Sequence, residues 1–369
     1  MFHQISPTPR VRRSPYYDGT VADGVVSFST YNHMMMPTGY GDPMAEYDRL
    51  INGVSMWDVA VERQVELNGP DAAKLAQALA PRIIADQPIG MGWYVPICDH
   101  NGVVLNDPIL LKLSETRFWL SIADSDMLYW ARAIAGERGY DVQVFEPDVS
   151  PLAIQGPKAM DVAAALFGED IRTLKYFEFR EASPNGIPMM VARSGWSKQG
   201  GVELYLMDGS RGVELWDLVR ETGAPFGIGP GCPNGIERVE SGLLSWGGDT
   251  DDETNPCEIR MGRYVNVDCP DDVVGIQALR RIKADGPKRH QLGVKLVLDG
   301  GVGAMDRRSE ICVGGEKVGI LTALTWSPRL EANIGLCLIS RAQNVGDTVE
   351  IHLPDGRECA GELAKLPFI

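Results

Sequence analysis

The amino-acid sequence predicts an α+β fold, with a duplicated α+β core over residues 1–283 and a small C-terminal β-barrel domain over residues 284–369. Three observations predict it. A strand–corner–helix pattern occurs twice in the core, each copy leads into an Asn-Gly turn, and short strands with tight turns follow residue 283. The 369 residues fit several domains, because a single hydrophobic core stops growing at about 250–300 residues.

The repeated unit is a strand that ends at a Gly-Pro corner and continues into a helix. The first copy covers residues 65–79 and the second covers residues 152–166. Proline suits the first turn of a helix, because the N–H that it lacks has no partner there. Apolar residues with spacing i, i+3, i+4, i+7 predict one buried face in each helix: Ala72, Leu75, Ala76 and Leu79 in the first, and Met160, Ala163, Ala164 and Phe167 in the second.

Both copies then reach an Asn-Gly pair between apolar segments, Asn101-Gly102 and Asn185-Gly186, which predicts a β-hairpin in each. Two similar strand–helix–hairpin units indicate an internal duplication, and the junction of two such halves is a common ligand position. The alternative is a chance similarity, because Gly-Pro often precedes a helix.

The residue pattern changes near residue 283. Residues 283–289 are polar and rich in breakers, which is typical of a linker. Beyond them, residues 311–320 surround Gly314-Gly315, and alternating apolar residues over 349–353 lead into Pro354-Asp355-Gly356. Successive hairpins of this kind predict a small β-barrel.

Composition excludes several functional classes. The net charge of −15 argues against nucleic acid or an anionic membrane surface as the main partner, and no apolar stretch approaches the ~20 residues of a membrane span. The seven cysteines are odd in number and lack CxxC spacing, so we expect reduced thiols and a cytoplasmic protein. The five histidines form no HxxxH or HxH pair, and neither GxGxxG nor GxxxxGK[ST] occurs, so we expect no metal site and no dinucleotide or P-loop site. The sequence does not indicate an oligomeric state.

Three segments mix aromatic, charged and methionine residues as ligand sites often do: residues 31–36, 55–63 and 193–205. In the third, a tip with Trp196, Lys198 and two glycines joins two apolar stretches, which is unusual unless a ligand approaches closely. Structural interpretations stay open, since methionines commonly fill cores, His33 could be a structural histidine, and Glu62-Arg63 could be a surface pair.

These segments carry a family resemblance. Several segments resemble, in the same order, motifs of the glycine-cleavage T-protein (aminomethyltransferase) superfamily. They are residues 69–72 and 101–107, the run from Arg193 to Leu204, Arg238-Val239-Glu240-Ser241-Gly242, residues 275–279 and residues 318–335. The resemblance covers residues 25–369. Within it, residues 31–34, 57–66, 106–108 and 192–201 are similar to the dimethylsulfoniopropionate demethylase branch.

The resemblance implies a duplicated ferredoxin-like, folate-binding core with a C-terminal barrel in a three-lobed cloverleaf arrangement, and tetrahydrofolate as cofactor. The acidic pair of the family is Asn106-Asp107 here, and its Tyr-Thr-Gly tip is Trp196-Ser197-Lys198. These departures favour folate-dependent demethylation of a small sulfonium acid. The alternatives are folate-dependent N-demethylation or aminomethyl transfer from a methylated amine or carrier protein, and a non-catalytic folate-binding module.

The resemblance and the chemistry of a sulfonium together suggest residue roles. The resemblance implies that Glu203, Arg238 and Tyr94 bind folate and that Asp107 is catalytic, taking the N5 proton directly or through water. A sulfonium cation favours aromatic faces, so Tyr31, Trp57 and Trp196 are predicted to bind the methyl donor. His33 is placed with them, and Lys198 is the predicted partner of the donor's carboxylate.

Overall fold

The structure is a computed structural model that describes residues 8–302 and 305–369. The chain divides into two units. The first comprises the residues up to Leu75, Gln87–Trp93 and Ile109–Asn234, and the second comprises Ala76–Asp86, Tyr94–Pro108 and Gly235–Ile369. The predicted boundary between residues 283 and 284 stays a prediction.

The α-helices, in chain order, are α1 Tyr17–Ala22, α2 Pro43–Asn52, α3 Ala72–Leu79, α4 Met127–Glu137, α5 Ala159–Phe167, α6 Gly212–Gly223, α7 Gly235–Glu240 and α8 Ile276–Asp285. The strands are β1 Ser27–Tyr31, β2 Met34–Gly39, β3 Ser55–Asp58, β4 Gln64–Asn68, β5 Met91–Tyr94, β6 Ile97–Cys98, β7 Val104–Asn106, β8 Ile109–Ser114, β9 Arg117–Ser121, β10 Gln143–Phe145, β11 Ser150–Gln155, β12 Phe179–Ala182, β13 Met189–Ala192, β14 Gly201–Leu206, β15 Gly229–Gly231, β16 Arg289–Val297, β17 Ser309–Val313, β18 Glu316–Ser327, β19 Ala332–Ser340, β20 Thr348–His352 and β21 Glu358–Ala364. Among the described residues, no helix is long and apolar enough to cross a membrane.

Both predicted strand–corner–helix units are confirmed, as β4–α3 and β11–α5. Gly69 and Gly156 form the corners with φ of +144° and +126°. A Cβ on Gly69 would lie 2.8 Å from the Asp141 carbonyl oxygen, and one on Gly156 would lie 2.6 Å from that of Gly53. Only glycine fits this close approach of backbone to backbone. The two corners are therefore equivalent in backbone as well as in sequence.

The predicted helix faces are largely confirmed. All four predicted residues of α3 are buried. In α5 the buried face is centred on Ala159, Val162 and Ala163, while Met160 and Phe167 pack at its edge. The face of α5 is thus rotated slightly from the predicted one. Both Asn-Gly pairs lie in antiparallel hairpins, between β6 and β7 and between β12 and β13.

Among its described residues, the first unit contains the two-stranded sheet β1-β2 and two larger sheets. One has the strand order β10-β4-β9-β8-β5, and the other has the order β12-β13-β14-β11-β3-β15, so each repeat contributes its own sheet. In the second sheet Trp57 and Glu203 both pair with Ala153, one from each side. Directly opposed residues of antiparallel strands point to the same face. The alternate residues, such as Met56, Ile154 and Leu204, belong to the large hydrophobic cluster of the opposite face.

The second unit contains the predicted C-terminal barrel, closed in the order β16-β19-β18-β17-β20-β21. The hairpins predicted around residues 314–315 and 354–356 join β17 to β18 and β20 to β21. Alternate residues of β19 divide between two clusters. Cys337 and Ile339 pack inside the barrel, whereas Ile334 and Leu336 pack with Val239 of α7.

Candidate active site

Glu203 is a buried carboxylate in the middle of β14. Its Oε2 atom accepts hydrogen bonds from the Ser194 hydroxyl and from the Tyr205 hydroxyl, the latter at 3.2 Å. Both of these hydrogen bonds go to Oε2, and within residues 8–302 and 305–369 no hydrogen bond goes to the other oxygen, Oε1. Burial raises the pKa of Glu203, and the two hydrogen bonds act in the opposite direction. Glu203 therefore keeps one acceptor atom available for a ligand.

Trp57 lies two strands from Glu203 on the same face of the sheet, about 10 Å away at ordinary strand spacing. Its ring is 1% exposed and packs with Leu50 and Val59, and its indole N–H donates to the Ser55 hydroxyl at 2.8 Å. The sequence places Trp57 among the donor-binding aromatic residues; the structure buries its ring, and that role stays a prediction. Alternation along β3 specifies the face of the sheet but not what covers it.

The segment between β13 and β14 holds Trp196, which is partly exposed, and Lys198, which is exposed. Gly195 and Gly201 bracket them with φ of +150° and +152°. Ser194, at the start of this segment, binds Glu203 directly. The structure therefore connects the predicted tip to the predicted folate carboxylate through one serine.

Tyr31 and His33 lie in the β1–β2 hairpin, where Asn32 and His33 both have left-handed backbones, with φ of 47° and 61°. Asn32 is buried, and its amide donates to the carbonyls of Val61 at 3.0 Å and Ala123 at 2.9 Å. The His33 ring is exposed and lies 3.1 Å from Asp126. Tyr31 packs against the hydrophobic cluster of the first unit. This turn is held mainly by Asn32, a residue to which the sequence assigned no role.

In the second unit the structure brings Tyr94 and Asp107 together. The Tyr94 hydroxyl donates to Asp107 Oδ2, and the Tyr94 ring packs edge-on against Tyr264 with centroids 5.3 Å apart. The pKa of Asp107 is raised to about 7, mainly by desolvation and also by the nearby Asp249, while the hydrogen bond from Tyr94 acts in the opposite direction. A carboxyl that titrates near neutral pH suits proton transfer.

Arg238 lies in α7, also in the second unit, and is buried. It forms an ion pair with the fully buried Asp249, which also accepts from the Thr322 hydroxyl at 2.6 Å and the Ser245 N–H at 2.9 Å. The Arg238 Nε–H is buried and has no hydrogen-bond partner among the described residues. Such an orphan donor is uncommon and often marks a ligand position.

The sequence did not single out several residues that complete these clusters. Tyr205 could have been identified from the sequence, because it lies two residues beyond Glu203 on the same strand and so shares its face. Asp249 could not be found from spacing, because its partners Arg238 and Thr322 come from other elements. Phe177 has φ of 67°, an unusual conformation for a bulky residue, and is hydrogen-bonded through its backbone to Arg193 and Gly92.

The first unit also has an open cleft of about 400 Å³, lined by residues that include Arg12, Arg63 and Glu146. Both arginines bind Glu146. None of its lining residues belongs to the Glu203 cluster. The described ranges contain no group of three or more His, Cys, Asp or Glu side chains arranged to hold a metal ion.

Comparisons with known proteins cover nearly the whole chain. The family model of the GCVT N-terminal domain matches residues 16–269, and that of the glycine cleavage T-protein C-terminal barrel domain matches residues 289–369. The dimethylsulfoniopropionate demethylase of Ruegeria pomeroyi is 40% identical, covering 95% of this chain and 96% of that protein. An aminomethyltransferase of Symbiobacterium thermophilum is 30% identical and covers 97% of each. The crystal structure of aminomethyltransferase T from Bartonella henselae has the same fold, with a TM-score of 0.83, 22% identity, and coverage of 97% of this chain and 98% of that one.

Proposed function

Since the chain belongs to the glycine-cleavage T-protein family, we propose that it transfers a methyl group from dimethylsulfoniopropionate to tetrahydrofolate. As a member it is a one-carbon transfer enzyme that uses tetrahydrofolate. The observation that carries the choice of donor is the identity of 40% with a dimethylsulfoniopropionate demethylase, against 26–30% for aminomethyltransferases over a similar length.

The buried polar groups of the chain fit a folate. Glu203 offers an unused carboxylate oxygen in a buried position, and Arg238 offers an unpaired N–H. A folate carries donors and acceptors that would satisfy either group. Tetrahydrofolate, when bound, supplies N5 as the nucleophile that accepts the methyl group. We assign Glu203 to the donor edge of the pterin.

The methyl donor requires little activation by the enzyme. Sulfur leaves a sulfonium as a neutral thioether, so no side chain has to protonate the leaving group. Trp196 and Tyr31 supply aromatic faces for the cation, and Lys198 pairs with the carboxylate of the donor. Their main contribution is to hold the methyl group in line for transfer and to exclude water.

Asp107 accepts the proton that has to leave once the methyl group is transferred. Its pKa of about 7 means that the ionised form is substantially populated at neutral pH, while the protonated form stays accessible for release of the proton. Tyr94 orients this carboxyl through its hydrogen bond to Oδ2.

A screen of methyl donors with tetrahydrofolate tests the proposal. We expect one equivalent of 5-methyltetrahydrofolate for each methyl group lost from dimethylsulfoniopropionate, with methylthiopropionate as the other product. Turnover of dimethylglycine, glycine betaine or an aminomethylated carrier protein, with none of the sulfonium, would favour N-demethylation or aminomethyl transfer. Folate binding without turnover of any donor would indicate a binding module.

A further inference from the structure

Gln155 is a fully buried residue at the end of β11 to which the proposed mechanism assigns no role. It pairs with Gly201 on β14 and with Ser55 on β3, and it shares the face of the sheet that carries Glu203. A buried amide has to be hydrogen-bonded, so its partners show what it holds in place.

Among the described residues, the Gln155 side chain makes three hydrogen bonds, one to the neighbouring Ile154 and two to Ser194 and Ser197. Its Nε2 donates to the carbonyls of Ser194 at 3.1 Å and Ile154 at 3.2 Å. Its Oε1 accepts from the Ser197 hydroxyl at 2.8 Å. Ser194 in turn gives its own hydroxyl to Glu203.

Two glycines close around this amide. A Cβ on Gly195 would lie 2.0 Å from Gln155 Nε2 and 2.2 Å from Oε1. A Cβ on Gly201 would lie 2.1 Å from the Ile154 carbonyl oxygen and 2.6 Å from Gln155 Nε2. These contacts are too close for any side chain, so both ends of the segment are pressed against the amide. The Gly156 N–H donates a hydrogen bond to the Gly200 carbonyl at 2.9 Å, which fixes the end of the same segment.

We propose that Gln155 is a positioning residue, which sets the conformation of the tip, residues 195–201, and through Ser194 the position of Glu203. This inference deepens the proposed function and rests on it for the identity of the methyl donor. In this role Gln155 need not contact the donor or the folate. It acts by fixing Trp196 and Lys198 in the geometry that the donor requires.

Gln155→Ala and Gln155→Glu test the role. Alanine leaves the Ser194 carbonyl and the Ser197 hydroxyl without their partner, and we expect the KM for dimethylsulfoniopropionate to rise about tenfold with a smaller change in kcat. Ser197→Ala, at a partly buried position, removes one hydrogen bond to Gln155 and should raise the same KM about threefold. It provides a second test if Gln155→Ala folds poorly.

The glutamate variant adds a pH signature. An ionised carboxylate at position 155 would face the carbonyl oxygens of Ile154 and Ser194, and the hydroxyl of the same Ser194 is bound to Glu203. Once protonated, the carboxyl can donate as the amide does. We expect the ratio of variant to wild-type KM to be near one at low pH and to increase as pH rises.

Gln87→Glu is the matched control. Gln87 is also buried in the first unit and donates to two carbonyls, those of Met91 at 2.8 Å and Leu110 at 2.7 Å. We expect this control to lose thermal stability without any pH-dependent change in the KM ratio.

Hydrogen exchange supplies a measurement that does not depend on the methyl donor. The amides of residues 195–201 should exchange faster in Gln155→Ala than in the wild type or in Gln87→Glu. Unchanged exchange in the tip would overturn the positioning role whatever the substrate is. If the wild type demethylates the sulfonium and Gln155→Ala shows faster exchange with an unaltered KM, Gln155 orders the tip but does not affect donor binding. Absence of sulfonium turnover in the wild type would reject the proposed function and leave the exchange test standing.

Discussion

At the scale of single residues, Glu203 has one carboxylate oxygen that the chain does not use, and this predicts the effect of replacing it. We expect Glu203→Gln to weaken tetrahydrofolate binding by about 1–3 kcal/mol, because the glutamine amide replaces one acceptor oxygen by an NH2 group that cannot accept from the pterin. The measurement is the folate dissociation constant by calorimetry, together with the melting temperature.

Glu66→Gln is the control for that variant. Glu66 is equally buried in the first unit but is committed to Arg117 and Trp119. It should lose stability and keep its folate affinity. A dissociation constant that is the same for Glu203→Gln and the wild type would show that Glu203 is structural.

Trp196 distinguishes a donor contact from a packing residue. Phenylalanine keeps a weaker aromatic face, so Trp196→Phe should retain part of the activity. Trp196→Ala should lose on the order of 2–3 kcal/mol in kcat/KM for the sulfonium, with folate affinity nearly unchanged. If Trp196 only packs the tip, the alanine variant should instead lose melting temperature and folate binding together.

The raised pKa of Asp107 predicts that activity increases with pH while the stability of the folded state decreases. As the base it has to be ionised, so kcat/KM should fall as pH drops below about 7. Its folded pKa lies above the unfolded value of about 3.9, so the folded state binds the proton more tightly and stability declines as pH rises from about 4 to 7.

Asp107→Asn removes both effects. We expect about a hundredfold loss of kcat. At pH 8 we expect a gain in unfolding free energy on the order of 2 kcal/mol, which shrinks towards pH 4. Urea denaturation at pH 5 and pH 8 measures this difference. A variant less stable than the wild type at pH 8 would contradict the raised pKa.

At the scale of elements, the β1–β2 hairpin combines a strained turn with a candidate donor contact. Glycine adopts the left-handed backbone of His33 without cost, so His33→Gly should leave the melting temperature equal or higher. If His33 binds the donor, as its sequence context predicts, the KM for the sulfonium should rise severalfold. An unaltered KM would make His33 a surface residue paired with Asp126.

Asn32→Ala separates the turn from that role. Its amide donates to carbonyls of Val61 and Ala123, and alanine would leave these buried acceptors unpaired. We expect a loss of about 2–3 kcal/mol in unfolding free energy. The same denaturation experiment on His33→Gly provides the comparison at the neighbouring position.

At the scale of the whole molecule, the second unit does not separate cleanly into a barrel and a remainder. Ile334, Leu336 and Leu338 of β19 point out of the barrel and pack on residues that include Val239 of α7 and Leu279 of α8. Full burial of such side chains is worth about 1.5–3 kcal/mol each, so their exposure would remove a large part of a typical domain stability of about 5–15 kcal/mol.

We therefore expect a fragment of residues 284–369 to lack cooperative unfolding and to bind a hydrophobic dye, even though its strands form a closed barrel in the intact chain. Leu336→Ala in the full chain should cost about 2–5 kcal/mol. A fragment that unfolds in one sharp urea transition with a dispersed amide spectrum would show that the barrel is independent and that residue 283 is a true domain boundary.

The sequence by itself determined the local elements and the family. Gly-Pro corners specify the ends of β4 and β11, because only glycine permits the backbone approach at Gly69 and Gly156. Periodicity specifies the buried face of α3, and the Asn-Gly pairs specify two hairpins. The motif order from residue 69 to residue 335 indicates the T-protein family, which the family models confirm.

Only the tertiary structure decided which side chains are covered and which polar atoms are left over. Alternation put Trp57 and Glu203 on one face, but packing against Leu50 and Val59 buried the tryptophan. Hydrogen bonds between separate parts of the chain leave Oε1 of Glu203 unused. They also join Gln155 to Ser194 and Ser197. Spacing in a sequence carries information about neighbours along one element, whereas burial and hydrogen-bond satisfaction are set by elements that meet only when the chain is folded.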